Sequence, residues 1–544
     1  MGMIPIADYR PDVSDFLNQY SDDVTNVFPA LGCVIPAKNF APMNLSLPIH
    51  EVPLGAIAVR HRSGISFTIF LGTETKIFAL SSLATGWIDV TKPDTVYNAS
   101  VENPWSFAAW GQQVIITNGN DPPQTMLVTD DHMRDLGEKP ILEGETPYTV
   151  KAPLGSIVKI WGNFVAIMGL QDGSLVDTSG KEPVVLLNYN SGMIIWSGLN
   201  DPDRWNVGDP EYFSDWQEFF DGGNVHTSSE TSNPIIFLDT AIYYGTFMPG
   251  SVEIFRFQKV QEKRGARNPI SVASRGEQIF YADAGGFFMI TAEAGFPVIE
   301  AIGFEKVDRT YFQDLSSIDL DTIKGVIDPF YNRVYWGIDS NSNGIYDMIL
   351  SFDWLLKKWT VLELDTPIYD FVQIYTFGVS LEEMDAFETK GTDQETGQFS
   401  DKADLDRLPY SLDARIWKAS SPVLMGIMRG ISGRLEIGAF HGQNMEARVT
   451  TYEVGETGQN FFRLGKIRII SDANEIYLSA GRRNTLRLRG NIHWTSESTP
   501  SDRNDNVYIR SRAKFHRFKV RIPANTDWTY LDGVDVELIP SGRF

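Results

Sequence analysis

A β-hairpin module recurs along this chain at intervals of roughly 50 residues, and that period constrains the fold more than any other feature. Each copy is a hairpin, a Gly/Asn/Asp turn and a strand ending in an aromatic residue. One copy runs Trp105-Ser-Phe-Ala-Ala-Trp110-Gly111, then Val114-Ile-Ile-Thr-Asn118-Gly119. A second runs from Gln278 through Phe280-Tyr281, Asp283 and Gly285-Gly286-Phe287 to Ile290. A third runs Arg333-Val-Tyr-Trp336-Gly, then Met348 to Trp354, then Lys358-Trp359 to Leu362. A unit of this size cannot bury its apolar face alone. Repeated units bury it against one another, as propeller blades or solenoid coils. On such a scaffold the first question is binding or assembly, ahead of catalysis.

The pattern sets expected boundaries. Residues 1–50 are irregular, with Pro5, Pro11, Pro29, Pro36, Pro42 and Pro48, and Asp8, Asp12, Asp15, Asp22 and Asp23 crowd the first half. This predicts an extended N-terminal arm laid over another part of the molecule, with a short strand near Val24–Phe28. Residues 51–442 predict an all-β propeller of about six blades, from alternating apolar residues and closely spaced turns. Phe304–Asp314 is an expected short helix. An insertion at 381–407 holds nine acidic residues against Lys390, Lys402 and Arg407. A loop this long without apolar periodicity is functional or mobile. Residues 443–544 read as seven short strands, including Thr485–Arg489, a number that suits a small β-sandwich. Those strands carry Arg482, Arg483, Arg487 and Arg489, then Arg510, Arg512, Lys514, Arg517, Lys519 and Arg521. Alternation from Lys514 to Arg521 places positive charge along one strand face. That face is either solvated or docked on an acidic neighbour, such as the acidic part of an identical chain.

Charge follows the same division. The chain of 544 residues has a formal net charge of −23. From Glu446 onward 16 Lys/Arg stand against 12 Asp/Glu, so the preceding residues carry −27 and the rest +4. Solubility alone explains an acidic surface; the sharper reading is a surface that must not hold a polyanion. Apolar content of 42% and charged content of 22% describe a globular protein. No run of about 18 apolar residues predicts a membrane span, and Met1 to Arg10 lacks the pattern of a signal peptide. Cys33 is the only cysteine. That excludes an intramolecular disulfide framework and a cysteine-cluster zinc site, and Cys33 is expected to be a small buried hydrophobe.

Motifs for phosphate loops, dinucleotide binding, zinc proteases and nucleophile elbows are absent. The histidines at 50, 61, 132, 226, 441, 493 and 516 are scattered, and none sits at ligand spacing from another. One segment has the composition of a hard-cation loop: Asp339-Ser-Asn341-Ser-Asn343-Gly344-Ile345-Tyr-Asp347. Alternating oxygen-bearing side chains with a glycine at the bend fit calcium, with Asp339, Asn341, Asn343 and Asp347 giving side-chain oxygens and Ile345 a carbonyl. Position 350 is Leu, so the acidic twelfth residue of an EF-hand is missing. The loop is similar instead to the hairpin calcium loops of integrin-type propellers. The same residues also make a polar turn without an ion.

Several segments together resemble a known family. They are Trp105-x-Phe107-Ala-x-Trp110-Gly111 with Asn118-Gly119-x-Asp121-Pro122-Pro123-Gln124; Trp196-Ser-Gly-Leu-Asn200-Asp201-Pro202-Asp203-Arg204-Trp205; and Asp221-Gly222-Gly223. Lys306-Val-Asp308-Arg309-Thr310-Tyr-Phe312 and His516-Arg517-Phe518-x-Val520-x-Ile522-Pro523 follow in the same order. From about residue 8 to the end the chain resembles the tail nozzle, also called tail hub or packaged-DNA stabilisation protein, of short-tailed bacteriophages. The resemblance implies a homohexameric, propeller-bearing ring at the end of the virion tail, made in the host cytoplasm. It implies adaptor or head-to-tail connector proteins and tail fibre or spike proteins as partners. It also implies double-stranded DNA that is retained and then passed without tight binding. It supplies no catalytic residues and no required cofactor; calcium at 339–347 would be particular to this chain. Glu382, Glu383, Asp385 and Glu388 of the insertion are candidate gate residues in an acidic lumen. The competing expectation is a propeller-type glycan-binding or glycan-hydrolysing tail protein, which would show paired carboxylates about 5–10 Å apart in a cleft. A third is a calcium-dependent adhesion propeller, which no secretion signal supports.

Overall fold

The computed structural model describes all residues except 1, 14–18, 47–50, 63–65, 82–85, 140–146, 252, 267, 294, 315–321, 376–421, 430–434, 456–459, 485–491 and 544. The insertion at 381–407, with Glu382, Glu383, Asp385 and Glu388, therefore lies outside the described residues, as does the expected strand Thr485–Arg489.

The chain is an all-β propeller. Five four-stranded antiparallel sheets follow one another in sequence. Blade 1 is Ala56–Arg60, Phe67–Gly72, Ile77–Ser81 and Ile88–Asp89. Blade 2 is Ser106–Trp110, Gln113–Thr117, Gln124–Leu127 and Arg134–Asp135. Blade 3 is Gly155–Trp161, Phe164–Leu170, Met193–Trp196 and Asp215–Glu218, with a hairpin of Gly173–Asp177 and Val184–Tyr189 inserted before its third strand. Blade 4 is Val225–Ser228, Ile235–Leu238, Ala241–Phe247 and Phe255–Glu262. Blade 5 is Ala273–Arg275, Gln278–Asp283, Gly286–Glu293 and Phe296–Ala301. The first hairpins of blades 2, 3 and 5 close on two-residue turns that begin with Gly111, Gly162 and Gly276 at φ near +60°. Such turns match the twist of the strands, and glycine adopts that φ without a steric penalty.

Blade 6 begins in the same way, with Lys324–Ile327, Arg333–Ile338 and Tyr346–Asp353. Its fourth strand does not stop. Lys358–Tyr375 pairs with blade 6 through its first half, passes an irregularity that contains Pro367, and from Ile368 pairs with Pro422–Arg429. A seventh sheet results: the second half of Lys358–Tyr375, then Pro422–Arg429, Leu435–Ala439 and, from the N-terminal arm, Ala41–Ser46. The ring thus has seven blades, against about six expected, and its last blade is completed by its earliest residues.

Each pair of neighbouring blades shares an apolar core. Val114 and Ile116 of blade 2 meet Phe70 and Ile77 of blade 1. Clusters of the same kind join blades 2 and 3, 3 and 4, and 4 and 5. Closure is apolar too: Val372, Met425 and Ile437 of blade 7 pack on Phe67, Ile69 and Leu71 of blade 1. A blade's second strand is covered on both faces, which is why Phe67–Gly72 is buried throughout rather than on alternate residues.

Apart from a short parallel pair in the arm, Asp8–Tyr9 with Tyr20–Ser21, the remaining described strands form two further sheets beside blades 5 and 6. The first holds Ala447–Thr450, Phe515–Ile522, Tyr477–Arg483 and His493–Trp494. Thr25 of the arm joins it to blade 6, pairing with Val361 on one side and Arg448 on the other. The second is built on Asn460–Ser471 and Leu531–Arg543, flanked by Asn506–Val507 and Arg512–Ala513 and by Met3–Pro5, Val27–Pro29 and Val34–Pro36 of the arm. Leu478, Phe518 and Val520 of the first sheet and Leu464, Ile467 and Val536 of the second belong to one core, continuous with Phe287, Trp336 and Trp359 of blades 5 and 6. The layer therefore differs from a self-contained C-terminal sandwich: it takes strands from the arm and shares its core with the propeller. The rings of Trp336 and Trp359 stack at 5.6 Å, and Phe287 lies 4.6 Å from Trp336.

Two smaller expectations change. The helix at Phe304–Asp314 shrinks to a turn of π-helix, Thr310–Asp314. Asp12 of the arm caps that turn, accepting from the amides of Arg309 and Thr310 at 2.8 Å each. Cys33 is half-buried rather than fully buried.

Candidate functional site

The first strands of the seven blades, or the turns leading into them, surround a cavity on the propeller axis. Every blade contributes to the wall, among others through Ile57, Phe107, Ile157, Thr227, Val272, Val326 and Phe371. Six of these seven are apolar. Lys159 and Lys324 also reach the cavity. Both are neutralised: Lys159 by Glu230 at 3.1 Å, and Lys324 by Asp370. The cavity measures about 270 Å³, room for about nine waters at ~30 Å³ each.

The segments that carry the family resemblance brace turns and, in places, join blades. Asn118 accepts from the amides of Asn120 and Asp121 and donates to the Asp121 carboxylate at 2.7 Å, and Asp121 also accepts from the amide of Asn98. In the Asp201–Trp205 segment, Asp203 is buried and receives both guanidinium nitrogens of Arg134 from blade 2, at 2.7 and 2.8 Å. Arg204 stacks between Tyr148 and Tyr212, at 4.1 and 4.5 Å from the ring centroids. Asp221 binds Tyr243 and Lys259 across blade 4. Gly222 and Gly223 hold positive φ, and a Cβ on Gly223 would strike Asp239. Asp308 lies over Gly286 and Gly303 and accepts from the amide of Phe287 at 3.1 Å. Burial pushes its carboxyl up to about 7. His516 is buried beside Ser511, and burial pushes its imidazole down to about 4.

The Asp339–Asp347 loop is the turn between the second and third strands of blade 6. Its oxygens already accept hydrogen bonds from the loop itself. Asp339 takes the amides of Asn341 and Gly344, at 3.2 and 2.6 Å. Asp347 takes the amide and hydroxyl of Ser340 and the side-chain amide of Asn341. Asn343 takes the amide of Ile345 at 3.1 Å. Among the described residues no group of three or more His, Cys, Asp or Glu side chains is placed to hold a metal ion. A cation here would compete with the loop's own donors.

Among the described residues, several of the basic C-terminal side chains meet carboxylates of their own chain. Arg517 pairs with Asp22 of the arm at 2.7 Å and Lys519 with Asp23 at 3.7 Å. Arg521 lies between Glu497 and Glu446, and Arg483 binds Glu453. Asp22 and Asp23 of the arm thus lie against the basic strand Phe515–Ile522. Asn26, unremarkable in sequence, is a buried hub at φ +59°. Its side chain donates to the carbonyl of Glu446 and accepts from the amide of Glu363, at 2.9 and 2.8 Å. Only its place in an Asp-rich arm hinted at such a role.

No family model matches the chain, and no curated protein matches it. Among solved structures it is similar to the WD40 domain of Neurospora crassa Pan2, with TM-score 0.32, 8% identity and coverage of 63% of this chain and 89% of that one. A chain of the mitotic checkpoint complex gives TM-score 0.34 and 9% identity over 76% of this chain and 100% of that one. YCF48 from Cyanidioschyzon merolae gives 0.30 and 11% over 62% and 92%. Among the described residues no helix is long and apolar enough to cross a membrane. Among the described residues, the arrangement is a seven-bladed propeller with polar ties such as Arg134–Asp203 between blades.

Proposed function

We propose that this chain is a structural virion protein, the nozzle or hub ring at the end of a short phage tail, which retains packaged DNA and forms the conduit for its release. The observation that carries the reading is that resembling segments tie parts of the molecule together: Asp203 binds Arg134 of blade 2, Gly119 accepts from Gln171 of blade 3, and Asp12 of the arm caps the Lys306–Phe312 segment. The strongly negative charge before Glu446 supports passage of DNA without retention on the wall. In this reading the conduit is the space enclosed by six copies. Partners are further copies of the chain, an adaptor ring above and fibre or spike proteins around it.

The test is mass measurement and imaging of the purified full chain, alone and mixed with an adaptor ring, together with DNA binding at several salt concentrations. The expected result is a sixfold ring that holds duplex DNA weakly. A monomer in both states, or tight and salt-sensitive DNA binding, overturns the reading. Saccharide binding by that monomer would move the assignment to a glycan-recognising tail protein.

A further inference from the structure

The basic residues of the C-terminal layer fall into two sets. One set, Arg483, Arg517, Lys519 and Arg521, is neutralised inside the chain. The other lies on the outer face of the sheet built on Asn460–Ser471. Along that strand Leu464 and Ile467 point into the core, while Arg463, Lys466 and Arg468 are exposed. An irregularity between Leu464 and Ile467 keeps all three cations on one side. Arg463 stands directly opposite Arg512 on the adjacent strand. Arg512 and Lys514 cover Phe461 at 5.0 and 5.7 Å, and Arg510 is exposed nearby in the chain. On the other side of the strand only Asp535, in register with Arg468, and Glu537 face outward with opposite charge. Among the described residues Arg463, Lys466, Arg468 and Arg510 have no carboxylate within ion-pair distance. Tyr508, 62% exposed, sits beside them. Its hydroxyl is held below its usual value by hydrogen bonds from Asn504 and Asn506 and by the charges of Lys466 and Arg503.

Like charges directly opposite on neighbouring strands destabilise a sheet. Here they persist on the surface of a chain whose net charge is −23. We propose that this basic face docks onto the acidic propeller surface of a second copy of the chain. Charge complementarity selects that occupant: residues before Glu446 carry −27, the face is cationic, and Tyr508 offers an amphipathic anchor among the charges. Two copies of the face would repel each other, so a twofold contact through it is disfavoured. The contact is therefore head to tail, the kind that closes rings. Asp535 and Glu537 in the midst of the cations favour a protein surface of mixed charge over a polyphosphate. The proposal rests on the ring reading above and names the surface that makes the ring.

The test compares the full chain with a variant carrying Arg463→Glu, Lys466→Glu and Arg468→Glu, and with the single variant Arg468→Glu. Assembly is followed by sedimentation at low and high salt, with thermal melting as a check on folding. All three side chains are exposed, so melting should be unchanged. The unaltered chain is expected to assemble at low salt and weaken as salt rises. The triple variant should need about a hundredfold more protein to assemble, and the single variant about tenfold. If the triple variant assembles like the unaltered chain, the face is not the contact and the ring reading stands without it. If the unaltered chain stays monomeric, with or without an adaptor ring, the ring reading falls and the proposal falls with it. If the unaltered chain binds duplex DNA and the triple variant does not, the face serves a polyanion and the proposal is overturned.

Discussion

Blades 2 to 5 and the seam around blades 6 and 7 are built from the same strands by opposite means. In blades 2 to 5 every strand pairs with a neighbour close in sequence, and polar motifs lock one blade to the next. At the seam, residues 3–46 pair with residues 358–543: Met3–Pro5 with the strand ending at Arg543, Thr25 with Val361 and Arg448, Ala41–Ser46 with Leu435–Ala439. The first region assembles from local hairpins. The second must bring ends of the chain together, and loop closure and long-range pairing make that slower and more dependent on each strand. A ring needs both: local blades give its arc, and a non-local clasp gives its closure.

The strongest challenge to this contrast is removal of residues 1–46. Ile4, Val24, Val27 and Val34 are buried, and burying each such side chain is worth about 1.5–3 kcal/mol. Deletion should therefore cost more than about 5 kcal/mol at the seam. Hydrogen exchange should show Leu435–Ala439 and Ala447–Thr450 opening while blades 2 to 4 stay protected. Uniform loss across all blades would show that the ring is one cooperative unit and that the contrast is only topological.

A smaller effect separates two buried titrating groups at the seam. Asp308, raised to about 7, is held neutral by the fold. The folded state then binds more protons than the unfolded one between about pH 4 and 7, so this contribution is present at low pH and is lost as pH rises through 7. His516, lowered to about 4, acts the other way: its contribution is present above the unfolded value and is lost as pH falls from about 6.5 to 4. Asp308→Asn keeps the acceptor for the Phe287 amide and removes the charge. It should raise stability at pH 8 by on the order of 2 kcal/mol and abolish the loss on going from pH 5 to 8. Denaturant melts across that range decide it; an unchanged pH profile would mean that Asp308 is solvated in solution.

The smallest effect concerns the Asp339 turn. Asp339→Ala leaves the amides of Asn341 and Gly344 without their acceptor and should cost about 1–2 kcal/mol whether or not calcium is present. Melting with and without a chelator sharpens the point. If chelation lowers the melting temperature of the unaltered chain and not of Asp339→Ala, the turn binds an ion as well as capping its own amides.

How far the fold could be read from sequence follows the same line between local and distant pairing. Trp105–Thr117 and Gln278–Ile290 fall on observed hairpins because alternation and turn glycines are local signals. The seventh blade was not legible. Nothing near Lys358–Tyr375 announces that one strand serves two blades, and nothing near Ala41 names Ala439 as its partner. The acidic arm and the basic strand Phe515–Ile522 were each visible as charge, yet their pairing across nearly the whole chain was not. Of the candidate site, the Asp339–Asp347 turn was legible in place and context, whereas the axial cavity was not. Its walls come from all seven blades, hundreds of residues apart in sequence, with no spacing to reveal them.

The clasp also has a consequence in time. Ala41–Ser46 leaves the ribosome early, but its partner strand is made about 390 residues later, which at about 5–20 residues per second is roughly 20–80 s. For that interval the face of blade 1 formed by Phe67, Ile69 and Leu71 has no blade 7 to cover it. The nascent chain carries an open, sticky edge for most of its synthesis.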